Sequence, residues 1–108
     1  MHGDRRRPLY GISVAADLTG VTPQSLRVYE AKGLLEPSRT EGGTRRYSGD
    51  DIDRVHQISA LLKAGLNLAG IAHVLEMQTE LRRLRRELDR LRRQGRGDSD
   101  GPGGVSAT

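Results

Sequence analysis

Cysteine, tryptophan and phenylalanine are absent from the 108 residues, and three tyrosines are the only aromatics. No disulfide, thiolate metal site or cysteine nucleophile can be built from such a chain. No apolar run approaches the roughly 20 residues needed to cross a bilayer. Nor does a hydrophobic segment follow the basic start Met1-His2-Gly3-Asp4-Arg5-Arg6-Arg7-Pro8, as a secretory signal requires. A cytoplasmic chain is expected. Only 34% of the residues are hydrophobic, so the core has to be small and a deep substrate cavity is not expected. His2, His56 and His73 lack metal-ligand spacing, and Ser13, Ser25, Ser48 and Ser59 read as caps or groove groups without a base. Neither metal, cofactor nor enzyme activity is expected.

What the chain does have is charge and punctuation. Eighteen Lys and Arg against fourteen Asp and Glu leave a net charge of +4, a mild excess that points to a polyanionic partner. Most of it is local: residues 79–94 hold seven arginines against three acids. Residues 1–9 lack periodicity and carry three adjacent arginines, so they read as a disordered basic arm. The Gly-rich stretch from Gly95 to Thr108 reads as a disordered tail.

Between these ends the helix signals are clear. Ser13 is placed to cap a helix through about Thr19, with Val14, Ala15 and Leu18 on one face and Gly20 closing it. Thr22 caps a second helix, Pro23 suits its first position, and Gly33 ends it. Two helices joined by so tight a turn form a helix-turn-helix candidate. In the second, Leu26 and Tyr29 face inward, while Gln24, Ser25, Arg27 and Lys32 offer polar groups toward a groove.

From Leu35 to Tyr47 the helical period is lost. Pro37 and Gly42-Gly43 predict a small hairpin, or wing, with Arg39, Arg45, Arg46 and Tyr47 around its turn. Those guanidinium groups suit a phosphate chain; the bland alternative is a solvated turn with ion pairs to Glu36 and Glu41. Ser48 and Asp51 make a capping box for a third helix, whose Ile52, Val55, Ile58, Ser59 and Leu62 recur at helical spacing up to Gly65. Asn67 then caps a fourth. Along it, Val74, Met77, Leu81, Leu84, Leu88 and Leu91 are separated by 3, 4, 3, 4 and 3 residues, a coiled-coil seam that an isolated helix would leave wet. Dimerisation is expected.

The ordered elements carry a resemblance. Ile12-Ser13-Val14-Ala15-Ala16, the run from Thr22-Pro23-Gln24-Ser25-Leu26-Arg27-Val28-Tyr29-Glu30 through Gly33-Leu34-Leu35-Glu36-Pro37, and Gly43-Thr44-Arg45-Arg46-Tyr47-Ser48 resemble the DNA-binding domain of the MerR family of bacterial transcription regulators. Asn67-Leu68-Ala69-Gly70-Ile71 is further similar to its heat-shock-repressor branch. Val28 and Thr44 depart from the family pattern, standing where many members have an aromatic.

The resemblance implies a mainly α fold: a winged helix-turn-helix DNA-binding domain over residues 10–76, followed by a coiled-coil dimerisation helix over 77–94. Recognition helices would enter successive major grooves of double-stranded DNA, with wings at the flanking backbone or minor groove. Carried over by position, Arg27 and Tyr29 would contact DNA from the recognition helix, and Arg45, Arg46 and Tyr47 from the wing. The candidate DNA-binding set is thus Ser13, Thr22, Gln24, Ser25, Arg27, Tyr29, Lys32, Arg39, Gly43, Arg45, Arg46 and Tyr47. Family sensors of metals use cysteines, and drug sensors append a domain. Neither is present here, so no small-molecule effector is expected, and a protein co-regulator is the open alternative.

In the seam, Gln78, Arg85 and Arg92 take e positions, and Glu80, Glu87 and Gln94 take g positions. A parallel pair would set Glu80 against Arg85 and Glu87 against Arg92, whereas the family's antiparallel pair would place arginines together. The antiparallel pair is the expectation, because surface pairs contribute only about 0–1 kcal/mol. The reading is a nucleoid-associated homodimeric regulator that represses at a pseudo-palindromic promoter site. An architectural protein assembling on direct repeats and a coiled-coil adaptor are its alternatives.

Overall fold

The computed structural model describes residues 4–98. It contains the strand β1 (Pro8–Tyr10), helices α1 (Ile12–Thr19) and α2 (Pro23–Ala31), strands β2 (Ser38–Arg39) and β3 (Arg45–Ser48), and helices α3 (Gly49–Lys63) and α4 (Leu68–Asp98). The chain divides into two compact units, with the boundary between His73 and Val74.

In the first unit, α1 and α2 form the expected helix pair. Gly20 sits at φ 76° after α1, a left-handed backbone that a side chain would strain, and it lets α2 start three residues later. Thr22 accepts the Ser25 N–H through its hydroxyl at 3.0 Å, and Pro23 occupies the first turn. The N-cap of α1 is Gly11, with no side-chain cap, and Ser13 lies exposed inside the first turn. The expected Ser13 cap is thereby corrected. β1 ends at Tyr10, so the strand hands directly to the helix and leaves Ser13 too late to cap it.

Of the expected face of α1, Val14, Ala15 and Leu18, only Ala15 is buried. Ala16 is buried beside it, whereas Val14 and Leu18 are about half exposed. α1 contacts α2, α3 and β3, and such close approach needs the smallest side chains rather than the most apolar ones. Leu26 and Tyr29 of α2, Leu34, Leu35, Tyr47, and Ile52, Val55 and Ile58 of α3 complete the core with Ile71. Leu62 stands on the rim, 37% exposed.

The sheet has the order β1-β3-β2. β2 and β3 are the predicted wing, with Ser38 opposite Arg46 and Arg39 opposite Arg45. Its turn is closed by the Thr40 N–H to the Thr44 carbonyl at 2.8 Å and the Gly43 N–H to the Thr40 carbonyl at 2.9 Å, with Gly43 at φ 87°. β1 is an addition. Pro8 pairs with Ser48 and Tyr10 with Tyr47, so the part of the expected disordered arm from Asp4 onward is structured. The Arg5 guanidinium donates to the Gly49 carbonyl at 3.0 Å and to Asp53 at 2.8 Å, and the Asp50 N–H donates to the Arg5 carbonyl at 2.9 Å. Acids on α3 thus offset the repulsion within the arginine triplet. Residues 1–3 lie outside the described residues.

α3 begins with the expected capping box: Ser48 Oγ accepts the Asp51 N–H at 3.0 Å, and Asp51 Oδ2 accepts the Ser48 N–H at 2.9 Å. At the head of α4, Asn67 Oδ1 accepts the Gly70 N–H at 2.8 Å, which is the expected cap. In the second unit α4 runs to Asp98, past the expected stop at Gln94. Glycine costs only about 1 kcal/mol against alanine in a helix, so Gly95 and Gly97 do not end one already propagating. The rest of the expected tail, residues 99–108, lies outside the described residues.

Candidate nucleic-acid interface

α2 is locked from below by Leu26 and Tyr29, three residues apart and both buried. Residues four and three apart on the opposite face then point outward: Gln24 and Arg27 are exposed, and Val28 is partly so. Lys32 is exposed at the C-cap. Ser25 is partly buried, and its Oγ accepts the Thr22 hydroxyl at 3.1 Å; both belong to the N-terminal cap. The predicted set is therefore split. Gln24, Arg27 and Lys32 stand free at the surface, whereas Tyr29 is 6% exposed and is a core residue. Residue 29 lies on the locking side of the helix, where periodicity placed it, and not among the exposed groups with which the resemblance grouped it.

The wing is divided by the period of two of a strand. Arg45 and Tyr47 share one side of β3, and Arg46 takes the other, where its guanidinium lies over Gly11, 3.2 Å from the place a Cβ would occupy. Tyr47 is fully buried, with burial pushing its phenol pKa up. The resemblance grouped Tyr47 with the wing contacts; the structure places it in the core. Gly43 lies exposed in the turn.

Glu30, to which neither residue spacing nor the family resemblance assigns a role, joins these parts. Its Oε1 accepts Arg45 Nε at 2.5 Å and its Oε2 accepts Arg39 Nη2 at 2.6 Å. One carboxylate of α2 thereby holds a cation from each strand of the wing. The side chains of Glu30, Arg45 and Arg39 are 22%, 29% and 44% exposed. The Arg45 hydrogen bond holds the Glu30 carboxyl below the usual glutamate range. Arg39 also donates to the Gly43 carbonyl at 3.1 Å, tying the turn to the same cluster. The intramolecular pairing considered for Glu36 and Glu41 is made by Glu30 instead. The signal was present as a glutamate one residue beyond the buried Tyr29; its partners, nine and fifteen residues away, were not.

Along α4, Met77, Leu81, Leu84, Leu88 and Leu91 are 46–63% exposed, while Val74 is partly buried. The buried residues of this helix are Ile71 and Leu75, four apart; the 3-4 spacing from Val74 to Leu91 does not include Leu75. Beside the exposed stripe, Glu80 pairs with Arg83 at 2.5 Å and Glu87 pairs with Arg90, each three residues along the same helix. These hydrogen bonds hold both carboxyls below the usual range. The g-position acids are thus engaged within their own chain. Arg82, Arg85, Arg86, Arg92 and Arg93 are exposed.

The family model for MerR helix-turn-helix regulatory proteins matches residues 10–78. The chain belongs to the MerR family. The heat shock protein HspR of Streptomyces coelicolor is 46% identical over 78 residues, covering 71% of this chain and 52% of that protein. The regulator GlnR of Bacillus anthracis is 42% identical over 91 residues, covering 81% of this chain and 70% of that one. This MerR-family chain therefore spans about half the length of the first of these relatives and more of the second. HiNmlR, a family regulator lacking the sensor domain and solved bound to promoter DNA, shares the fold at a TM-score of 0.59 and 23% identity, covering 79% of this chain and 76% of that one. Among the described residues no helix is long and apolar enough to cross a membrane, and no cluster of His, Asp and Glu is arranged to hold a metal ion.

Proposed function

We propose that this MerR-family chain is a sequence-specific DNA-binding regulator that represses transcription as a homodimer on a pseudo-palindromic promoter site. The observation that carries the reading is the free face of α2. With Leu26 and Tyr29 buried, Gln24, Arg27 and Val28 stand on a face nothing else of the first unit needs. Gln24 and Arg27 bring donors for base edges, and Val28 brings an apolar group suited to a thymine methyl. Arg39, Arg45 and Arg46 of the wing supply phosphate contacts that position the helix without reading sequence.

The exposed Met77-to-Leu91 stripe of α4 is the proposed seam between two copies. It would set two recognition helices on half-sites about one helical turn, roughly 34 Å, apart. A co-regulator in this reading is a protein, and the exposed arginines on the outer side of α4 suit an acidic one. The test is selection of duplexes from a randomised pool by the purified protein, followed by Arg27→Ala. Arg27→Ala is expected to cost about 1–3 kcal/mol on the selected duplex and to relax preference at one position. An equal loss on every sequence would move Arg27 from base reading to phosphate positioning, and failure to select any duplex would overturn the reading.

A further inference from the structure

Resting on this DNA-binding reading, we infer that Glu30 is a positioning residue for specificity: from the recognition helix it grips both strands of the wing and sets where the wing cations meet DNA. Arg39 and Arg45 are register partners across the β2–β3 ladder. Like charges directly opposite on adjacent strands repel, so this pair does not itself hold the two strands together. Glu30 reaches them from α2, one oxygen to each guanidinium, at 2.6 and 2.5 Å. Arg39 extends the grip to the turn through the Gly43 carbonyl.

The arrangement has two consequences. The distance between the base-reading side chains and the wing is fixed by ionic hydrogen bonds, which are stronger and more directional than neutral ones. In addition, Glu30 cancels one of the two charges it grips, which restrains sequence-blind attraction to phosphate. Glu30 itself is mostly covered, and a carboxylate has nothing to offer a phosphate, so it acts through Arg39 and Arg45.

The experiment uses the full chain with two probes: a duplex selected by the wild type from a randomised pool, and a scrambled duplex of equal length and composition. Affinities are measured across a salt series, with thermal unfolding followed by circular dichroism. Glu30→Gln is expected to lose about tenfold on the selected duplex while holding or gaining on the scrambled one. Its salt slope should steepen by about one per protomer as the freed cation becomes available. Glu30→Asp keeps the charge, so it should recover part of the discrimination and the wild-type slope. Parallel loss on both duplexes that tracks a lowered melting temperature would make Glu30 a fold-stabilising residue only and overturn the inference, as would unchanged discrimination in Glu30→Gln. A wild type that does not distinguish the two duplexes overturns the functional reading and this role with it.

Discussion

Tyr47 and Arg45 are two residues apart on one short strand, yet one is sealed in the core and the other is held at the surface by Glu30. Residue-by-residue carry-over from a family motif supplies residue types, and only neighbours decide which way each faces. Periodicity in α2 placed Leu26 and Tyr29 inward, and the structure agrees; the resemblance alone made Tyr29 a contact. Tyr47 is also peculiar in that its buried hydroxyl has no hydrogen-bond partner among the described residues. Burying an unpaired hydroxyl costs about 1–3 kcal/mol. Tyr47→Phe is therefore expected to leave DNA affinity unchanged and to unfold at equal or higher denaturant concentration than the wild type. Weakened DNA binding in a variant of wild-type stability would return the hydroxyl to the interface.

Among the elements, those built on local rules were readable and those built on distant pairing were not. The Thr22 and Asn67 caps and the Ser48–Asp51 box each lie within three residues of the group they satisfy, so spacing alone reveals them. Ser48→Ala is expected to destabilise the first unit by about 0.5–2 kcal/mol, measured by urea denaturation. No loss of stability would mean that the Asp51 side of the box suffices. By contrast, β1 exists because Pro8 meets Ser48 and Arg5 meets Asp53, forty or more residues along the chain. A basic, Pro-containing segment gives no local sign of such a strand. The buried face of α1 agrees only at Ala15 for a related reason: apolar spacing also favours Val14 and Leu18, while the close approach of α2, α3 and β3 buries the small Ala15 and Ala16.

For the whole molecule the governing quantity is the exposed leucine stripe. In the proposed homodimer, Leu84→Asp with Leu88→Asp is expected to convert the dimer to a monomer in sedimentation and, by leaving a single head, to abolish binding to the selected duplex. An unchanged dimer would remove this stripe as the seam. The g-position acids bear on how that dimer is arranged. Glu80 and Glu87 already meet Arg83 and Arg90 in their own helix, so the cross-chain pairs that would favour a parallel arrangement have to compete with existing ones. Sequence alone determined the helix order, the N-terminal caps of α2, α3 and α4, the wing turn and the leucine repeat, because each is written in spacings shorter than two helical turns. Tertiary structure alone decided that the N-terminal segment is a strand, that Tyr47 is core, and that Glu30 joins recognition helix to wing. Each of those depends on side chains far apart in the chain being brought within hydrogen-bond or van der Waals reach, and no local pattern encodes that proximity.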